Sequence, residues 1–191
     1  MGGTDITLTA WNAATREITI EKVTGNIRIE AESEKVAGSD NLVLVSTEAD
    51  GTTTYNGTGY KNGWRLDSNG VETAQSGRVV TGFIPYNFDN TICLSGDGIN
   101  YRTSGYRIYF YREDNGKPGT LINLIDMYPG TNPSNGSTSE KQYGVSYNSN
   151  GDILEVTPTD VGDRDLAKYI RLSVGGSGDN PGKNIVVTMK A

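Results

Sequence analysis

The sequence predicts an all-β protein: a short three-stranded N-terminal meander followed by a jelly-roll-like β-sandwich. Three observations carry this. Short runs rich in β-branched and aromatic residues recur along the chain. Gly, Asn, Asp or Pro bound most of them, at intervals that suit a sandwich or jelly roll. The 191 residues also include 25 glycines and 11 tyrosines, more than a helical protein needs.

The meander is expected first. DITLTA (5–10) alternates apolar and polar side chains, as a half-buried strand does. WNAAT (11–15) reads as a connection. REITIEKV (16–23) alternates again, with Ile18, Ile20 and Val23 toward one face. A turn at Thr24-Gly25-Asn26 leads into IRIEAE (27–32), with Ile27, Ile29 and Ala31 on one side. Three strands with one apolar face sit at the limit of independent stability, so this piece is expected to need a partner. The charged segment 33–41 reads as a linker. It separates an N-terminal meander module, 1–35, from a sandwich module, 42–191.

Within the second module LVLVS (42–46) reads as a continuous apolar strand and 47–54 as a turn around Asp50-Gly51. Further strands are expected at 60–66, 78–84, 91–94, 105–111, 120–126, 142–147, 152–156, 168–174 and 184–189. Gly70, Gly116 and Gly151 mark tight turns. Residues 129–140 carry two prolines among polar residues and read as a long exposed loop. PTDVGDRDLA (158–167) leaves a short helix, capped by Thr159 or Asp160, and a loop or single turn both open.

Composition excludes several function classes. A net charge of −6 without a basic block disfavours nucleic acid and anionic membrane. There is no histidine, so a Ser-His-Asp triad, a Cys-His pair and a histidine-ligated zinc are all impossible. Cys93 is the single cysteine, and its alternating TICLSG context suits a small buried hydrophobe. No apolar run approaches the ~20 residues of a membrane span. No charged segment followed by an apolar one opens the chain, so no signal peptide is expected.

Residues 55–86, YNGTGYKNGWRLDSNGVETAQSGRVVTGFIPY, concentrate aromatic, turn-forming and β-prone residues and lack a nucleophile–base pair. Tyr60, Trp64, Arg65 and Asp67 form the sharpest candidate ligand-binding set. Aromatic faces stack on sugar rings, while carboxylate and guanidinium groups bond hydroxyls. The alternative is that Trp64 and Leu66 point into the sandwich core and Arg65 pairs with a nearby carboxylate. Tyr101, Tyr106, Tyr109 and Tyr111 form a second aromatic group. Ile108 and Phe110 share one face of their strand, and Tyr109 and Tyr111 share the other with Arg107. Such a strand faces a core on one side and solvent or a partner on the other. Asp152, Asp160, Asp163 and Asp165 lack the spacing of a calcium loop, so no metal is expected. No carboxylate pair is flagged for glycoside cleavage. No cofactor and no catalytic residue are expected. The Asn-Gly-Thr and Asn-Gly-Ser triplets at Asn56 and Asn135 match the glycan acceptor pattern only by chance, in the absence of a secretory signal.

Two stretches resemble known families. MGGTDITLTAWNAATREITIEKVTGNIRIEAE (1–32) is similar to the second half of a small β-repeat of phage structural proteins, with its MGG-T-D-I-T and V-T-G-N-I-x-I-x-A hallmarks. The repeat's first half would precede Met1. The resemblance therefore implies either a longer chain or strands supplied from elsewhere. Across 42–189, YNGTGYKNGWRLDSNGVE, VVTGFIPY, TICLSG, YRIYFY, KYIRLSV and NIVVTM resemble a module of phage tail, baseplate and head-fibre proteins. That family is described as carbohydrate-binding-like, with a jelly-roll fold. The resemblance implies a virion structural protein made in the host cytoplasm. Its sandwich would bind a host-surface glycan or decorate the particle without turnover. The implied partners are other virion proteins and further copies of the chain, a trimer by analogy with fibres. A purely structural connector and a polysaccharide-degrading enzyme are the competing readings.

Overall fold

The computed structural model describes residues 11–12, 17–18, 41–96, 106–127, 144–147, 153–175 and 179–191. The chain divides into two compact units, Met1–Val36 and Ala37–Ala191. In the first, β1 (Trp11–Asn12) pairs antiparallel with β2 (Glu17–Ile18), Trp11 opposite Ile18. Residues 11 and 12, expected in a connection, are thus strand. The strands expected at 5–10 and 27–32 lie outside the described residues, as do the 129–140 loop and the turn at Gly151.

The second unit is a β-sandwich. Its strands are β3 (Tyr60–Leu66), β4 (Glu72–Thr81), β5 (Ile84–Pro85), β6 (Thr91–Ser95), β7 (Tyr106–Asp114) and β8 (Lys117–Met127), followed by β9 (Val145–Tyr147), β10 (Leu154–Val156), β11 (Tyr169–Gly175) and β12 (Val186–Lys190). One sheet has the order β3-β4-β11-β7-β8, with β5 also on β11; the other has the order β12-β6-β10-β9. All the described pairings are antiparallel. The chain crosses between sheets after β5, β6, β8, β10 and β11, which seats sequence-distant strands side by side.

Alternation decides which side chains meet between the sheets. From the larger sheet come Val79, Ile84, Ile108, Phe110, Ile170, Leu172 and Val174; from the smaller come Ile92, Leu94, Val145, Leu154, Val156 and Val187. Burial of each such side chain contributes about 2 kcal/mol. The expected split of the YRIYFY strand holds: Ile108 and Phe110 enter this core, while Tyr109 and Tyr111 join a second cluster on the opposite side of the sheet. The β7–β8 hairpin closes through Asn115 and Gly116, both at positive φ (56° and 77°), the geometry that an Asn-Gly turn supplies. Cys93 is half-buried between Ile92 and Leu94, and burial pushes its thiol pKa up.

Two local expectations change, and an alternative left open is settled. Residues 42–45 form turns, not a strand. Asn41 Oδ1 accepts from the backbone N–H of Val43 and of Val187, its Nδ2 donates to Ile185 O, and Ser46 Oγ donates to Val43 O and Gly59 O. These side-chain bonds override the strand propensity of LVLV and leave Leu44 and Val45 exposed. The single strand expected at 78–84 is two strands, β4 and β5, interrupted at Gly82, where a Cβ would collide with Tyr55 and the Thr47 carbonyl. Residues 158–167 resolve as a single 3-10 turn, Arg164–Leu166, entered from a left-handed Asp163. The buried Arg164 side chain donates to Thr159 O through Nε (3.1 Å) and Nη2 (2.7 Å), which fixes this compact form.

Candidate functional site

The β3–β4 hairpin pairs in two registers. Tyr60, Lys61 and Asn62 face Thr81, Val80 and Val79, whereas Trp64, Arg65 and Leu66 face Ala74, Thr73 and Glu72. Between the two registers β3 passes Gly63 and β4 passes residues 75–78. The base of the hairpin stays in the sheet, because residues 78–80 also pair with β11. The tip leaves it. Leu66 N–H donates to Ser173 Oγ (3.2 Å), and Leu66 O accepts from Tyr109 Oη (2.7 Å). A Cβ on Gly70 would lie 2.6 Å from Tyr111 Oη and 3.5 Å from Leu121. Ser173, Tyr109, Tyr111 and Leu121 stand on β11, β7 and β8, so residues 64–74 form a strap across the outer face of the larger sheet.

Beneath and beside the strap lies the second apolar cluster: Tyr55, Leu66, Val80, Tyr109 and Tyr111, with Trp64, Phe83, Leu121, Leu124 and Tyr169 packed against it. Leu66 and Tyr109 are fully buried although they are on the side of the sheet facing away from the other sheet. Phe83 meets Tyr111 edge-on, with ring centroids 5.0 Å apart.

A charged network sits in this cluster. Glu72 Oε1 accepts from Tyr55 Oη (2.5 Å) and from Arg171 Nη2 (2.7 Å), and Glu72 Oε2 accepts from Lys61 Nζ (3.1 Å). Arg171 is 5% exposed. Its Nε donates to Thr81 O (2.8 Å), and its guanidinium lies 5.0 Å from the Tyr55 ring centroid and 4.8 Å from that of Phe83. Burial pushes the Glu72 carboxyl up, but bonds from Arg171 and Tyr55 outweigh it and hold the group below its ordinary range. Burial, then the bond to Glu72, pushes the Tyr55 phenol well above its ordinary value. Burial also raises Tyr111 to about 12, against the pull of Arg171.

The four residues expected to bind a ligand occupy different surroundings. Tyr60 is buried between the sheets, its ring against Gly182, which has no room for a Cβ. Trp64 is half-buried on the outer face, with Lys61 Nζ 3.4 Å from the centre of its ring. Arg65 is exposed and donates from Nε to Thr73 Oγ1 (3.2 Å). Asp67 closes the strap's turn: its Oδ1 accepts from the backbone of Asn69 (2.8 Å) and Val71 (2.9 Å). The Val71 and Asn69 bonds hold its carboxyl low. Gly63, at φ +77°, explains the separation. Its left-handed backbone, opposite the additional β4 residues of 75–78, breaks the alternation of β3, so that Trp64 and Leu66 share a side with Lys61 and not with Tyr60. Trp64 and Leu66 do share a face, as the core alternative supposed, but it is the outer one.

The network's other members, Tyr55, Lys61, Glu72 and Arg171, were not singled out by sequence. One cue was present: Arg171 sits at an outward position of KYIRLSV, between Ile170 and Leu172, where the opposite face is apolar. Nothing local marks Glu72, whose partners lie 11, 17 and 99 residues away. Of the aspartates weighed for calcium, Asp152 lies outside the described residues. No group of three or more Cys, Asp or Glu side chains gathers to hold a metal among the described residues. No described helix is long and apolar enough to cross a membrane. Compared with protein-family models, with curated proteins and with solved structures, the chain matches none.

Proposed function

We propose that this chain is a non-catalytic structural and attachment module of a bacteriophage particle, in a tail, baseplate or head-fibre setting. Its sandwich meets host-surface carbohydrate or other virion proteins through the outer side of the larger sheet. The observation that carries this reading is the sheet's second apolar face. A free-standing sandwich needs one such face per sheet, and this sheet has two: the strap buries the middle of the outer one, Leu66, Tyr109 and Tyr111, and leaves Trp64, Phe83 and Tyr169 half-buried at its rim, open to a partner. Those residue types recur where proteins meet ligands and partners. The acids around the face support binding over turnover. Both oxygens of Glu72 accept from neighbouring side chains, and Asp67 Oδ1 accepts from its own turn. The sequence resemblance of residues 42–189 supplies the phage setting, and multiple copies would turn weak sites into avidity.

A purely structural connector is the second reading, favoured by one detail: Lys61 already covers a face of the Trp64 ring. A glycan array probed with the native chain and with Trp64→Ala separates the two. Binding that disappears in the folded variant supports attachment to carbohydrate. Absence of binding to every glycan, together with tight association to a purified capsid or tail protein, favours the connector. Release of reducing sugar from cell-wall polysaccharide would overturn both.

A further inference from the structure

Glu72 is held as a bound ligand is held. Its three donors come from three separate elements: Tyr55 from the loop before β3, Lys61 from the base of β3, and Arg171 from β11. The buried members of this trio keep their places through contacts that do not involve Glu72. Arg171 is fixed by Thr81 O and by the Tyr55 and Phe83 rings. Tyr55 is fixed by its N–H donating to Ser46 O (2.9 Å) and by close packing on Gly82. A buried guanidinium between aromatic rings, flanked by a phenol and an ammonium, is a preorganised site for a carboxylate. The occupant, in contrast, belongs to the strap.

The strap joins the sheet through two glycines at positive φ, Gly63 (+77°) and Gly77 (+71°), and a Cβ at either would meet nothing within 4 Å. Both junctions are therefore conformationally permissive and sterically open. Two described side-chain oxygens are buried without a hydrogen-bond partner, Gln75 Oε1 and Tyr111 Oη. One lies in the junction and the other beneath the strap's tip. Arg171 pulls the Tyr111 pKa down against the larger lift of burial, but no hydrogen bond reaches Tyr111 Oη. A buried polar atom without a partner disfavours the state that buries it, and lifting the strap would return these two to water.

We propose that Arg171, Tyr55 and Lys61 form a receptor for a carboxylate ligand, that Glu72 occupies it in cis, and that the strap of residues 64–74 swings out on Gly63 and Gly77 to admit a carboxylate from outside. The inference does not depend on the attachment reading; it requires only a ligand that carries a carboxylate, as an acidic sugar or an acidic side chain does.

Glu72→Ala vacates the receptor and leaves two cations facing it. Sodium acetate titrated into this variant at pH 7, against sodium chloride at equal ionic strength, is expected to raise Tm saturably and to change Trp64 fluorescence in a Trp11→Phe background. Glu72→Ala/Arg171→Met is expected to lose the response. Sodium glucuronate and N-acetylglutamate amide run in parallel distinguish a sugar acid from a peptide carboxylate, according to which binds more tightly than acetate. A response equal to that of chloride, or one that survives loss of Arg171, overturns the receptor. Glu72→Gln keeps the side-chain volume and tests the hinge if the alanine variant does not fold. Hydrogen exchange of amides 64–74 is expected to speed up about tenfold and to respond little to low urea, as a local opening does, whereas β7 and β11 exchange with the urea dependence of global unfolding; a tenfold change corresponds to about 1.4 kcal/mol. Exchange in the strap that is unchanged, or that follows the urea dependence of β7 and β11, overturns the swinging strap.

Discussion

Glu72 shows how one residue couples charge to conformation. It ionises in the folded chain below its ordinary value of 4.5, so the unfolded chain binds that proton more readily. Its contribution to stability is therefore complete above pH 4.5 and fades as the pH falls through the folded value. Glu72→Gln is expected to lower stability by about 2 kcal/mol at pH 7, because a partly buried guanidinium loses its charged partner. The gap to the native chain should narrow in acid, where both carry a neutral side chain. Urea unfolding at pH 7 and at pH 3.5 measures both; a gap that does not change with pH would remove Glu72 from this role. Gly70 supplies a second residue-scale test. At φ +76° and with Tyr111 Oη 2.6 Å from the position of a Cβ, Gly70→Ala is expected to cost about 2 kcal/mol. Gly116→Ala, at φ +77° with open space, is expected to cost about 1 kcal/mol, the conformational part alone. Equal urea midpoints for the two variants would show that the strap does not press on Tyr111.

Among the elements, the strap is the one that departs from sandwich geometry. An ordinary hairpin extending β3 and β4 would project from the sheet edge, with one face in water. Here left-handed Gly63 and the additional β4 residues within 75–78 fold the tip back, and Leu66 becomes fully buried on the outer face. Leu66→Ala is accordingly expected to cost about 3 kcal/mol, as a core leucine does, with the loss read from the urea midpoint at constant slope. A cost below about 1 kcal/mol would mean that the strap rests on the sheet without sharing its core. The sequence made the first arm of this element legible: 60–66 matches β3, and Asn69-Gly70 lies in the turn, whereas the second arm, 72–77, was not read as strand. The fold-back was not legible, because it depends on Ser173, Tyr109 and Arg171, more than 40 residues away. By the same logic residues 42–46 were misread: their apolar run carries strand propensity, and only Val187 and Gly59 show why it turns.

At the scale of the whole unit, two sheets share one inner core to which both contribute. Leu94 is fully buried in the smaller sheet, paired on one side with Leu154 and on the other with Val187. Leu94→Ala is expected to cost about 3–4 kcal/mol. It should shift the far-UV circular dichroism and near-UV tyrosine transitions together, since the two sheets cannot lose that core separately. Transitions that separate would indicate that the strap-side cluster unfolds as its own unit.

The residues by themselves determined the class of this protein. Alternation assigned the inner and outer sides of β7, Asn-Gly and Asp-Gly pairs set the turns, and the absence of histidine removed whole families of chemistry. Those are local properties, fixed by side-chain period and turn geometry. The site was decided elsewhere. Tyr60 and Trp64, four positions apart and both aromatic, part company at a single left-handed glycine, and Glu72 gains its partners only when β3, β4 and β11 lie side by side. Register and crossing connections are long-range, and they turned a linear aromatic motif into a strap latched over a second apolar face.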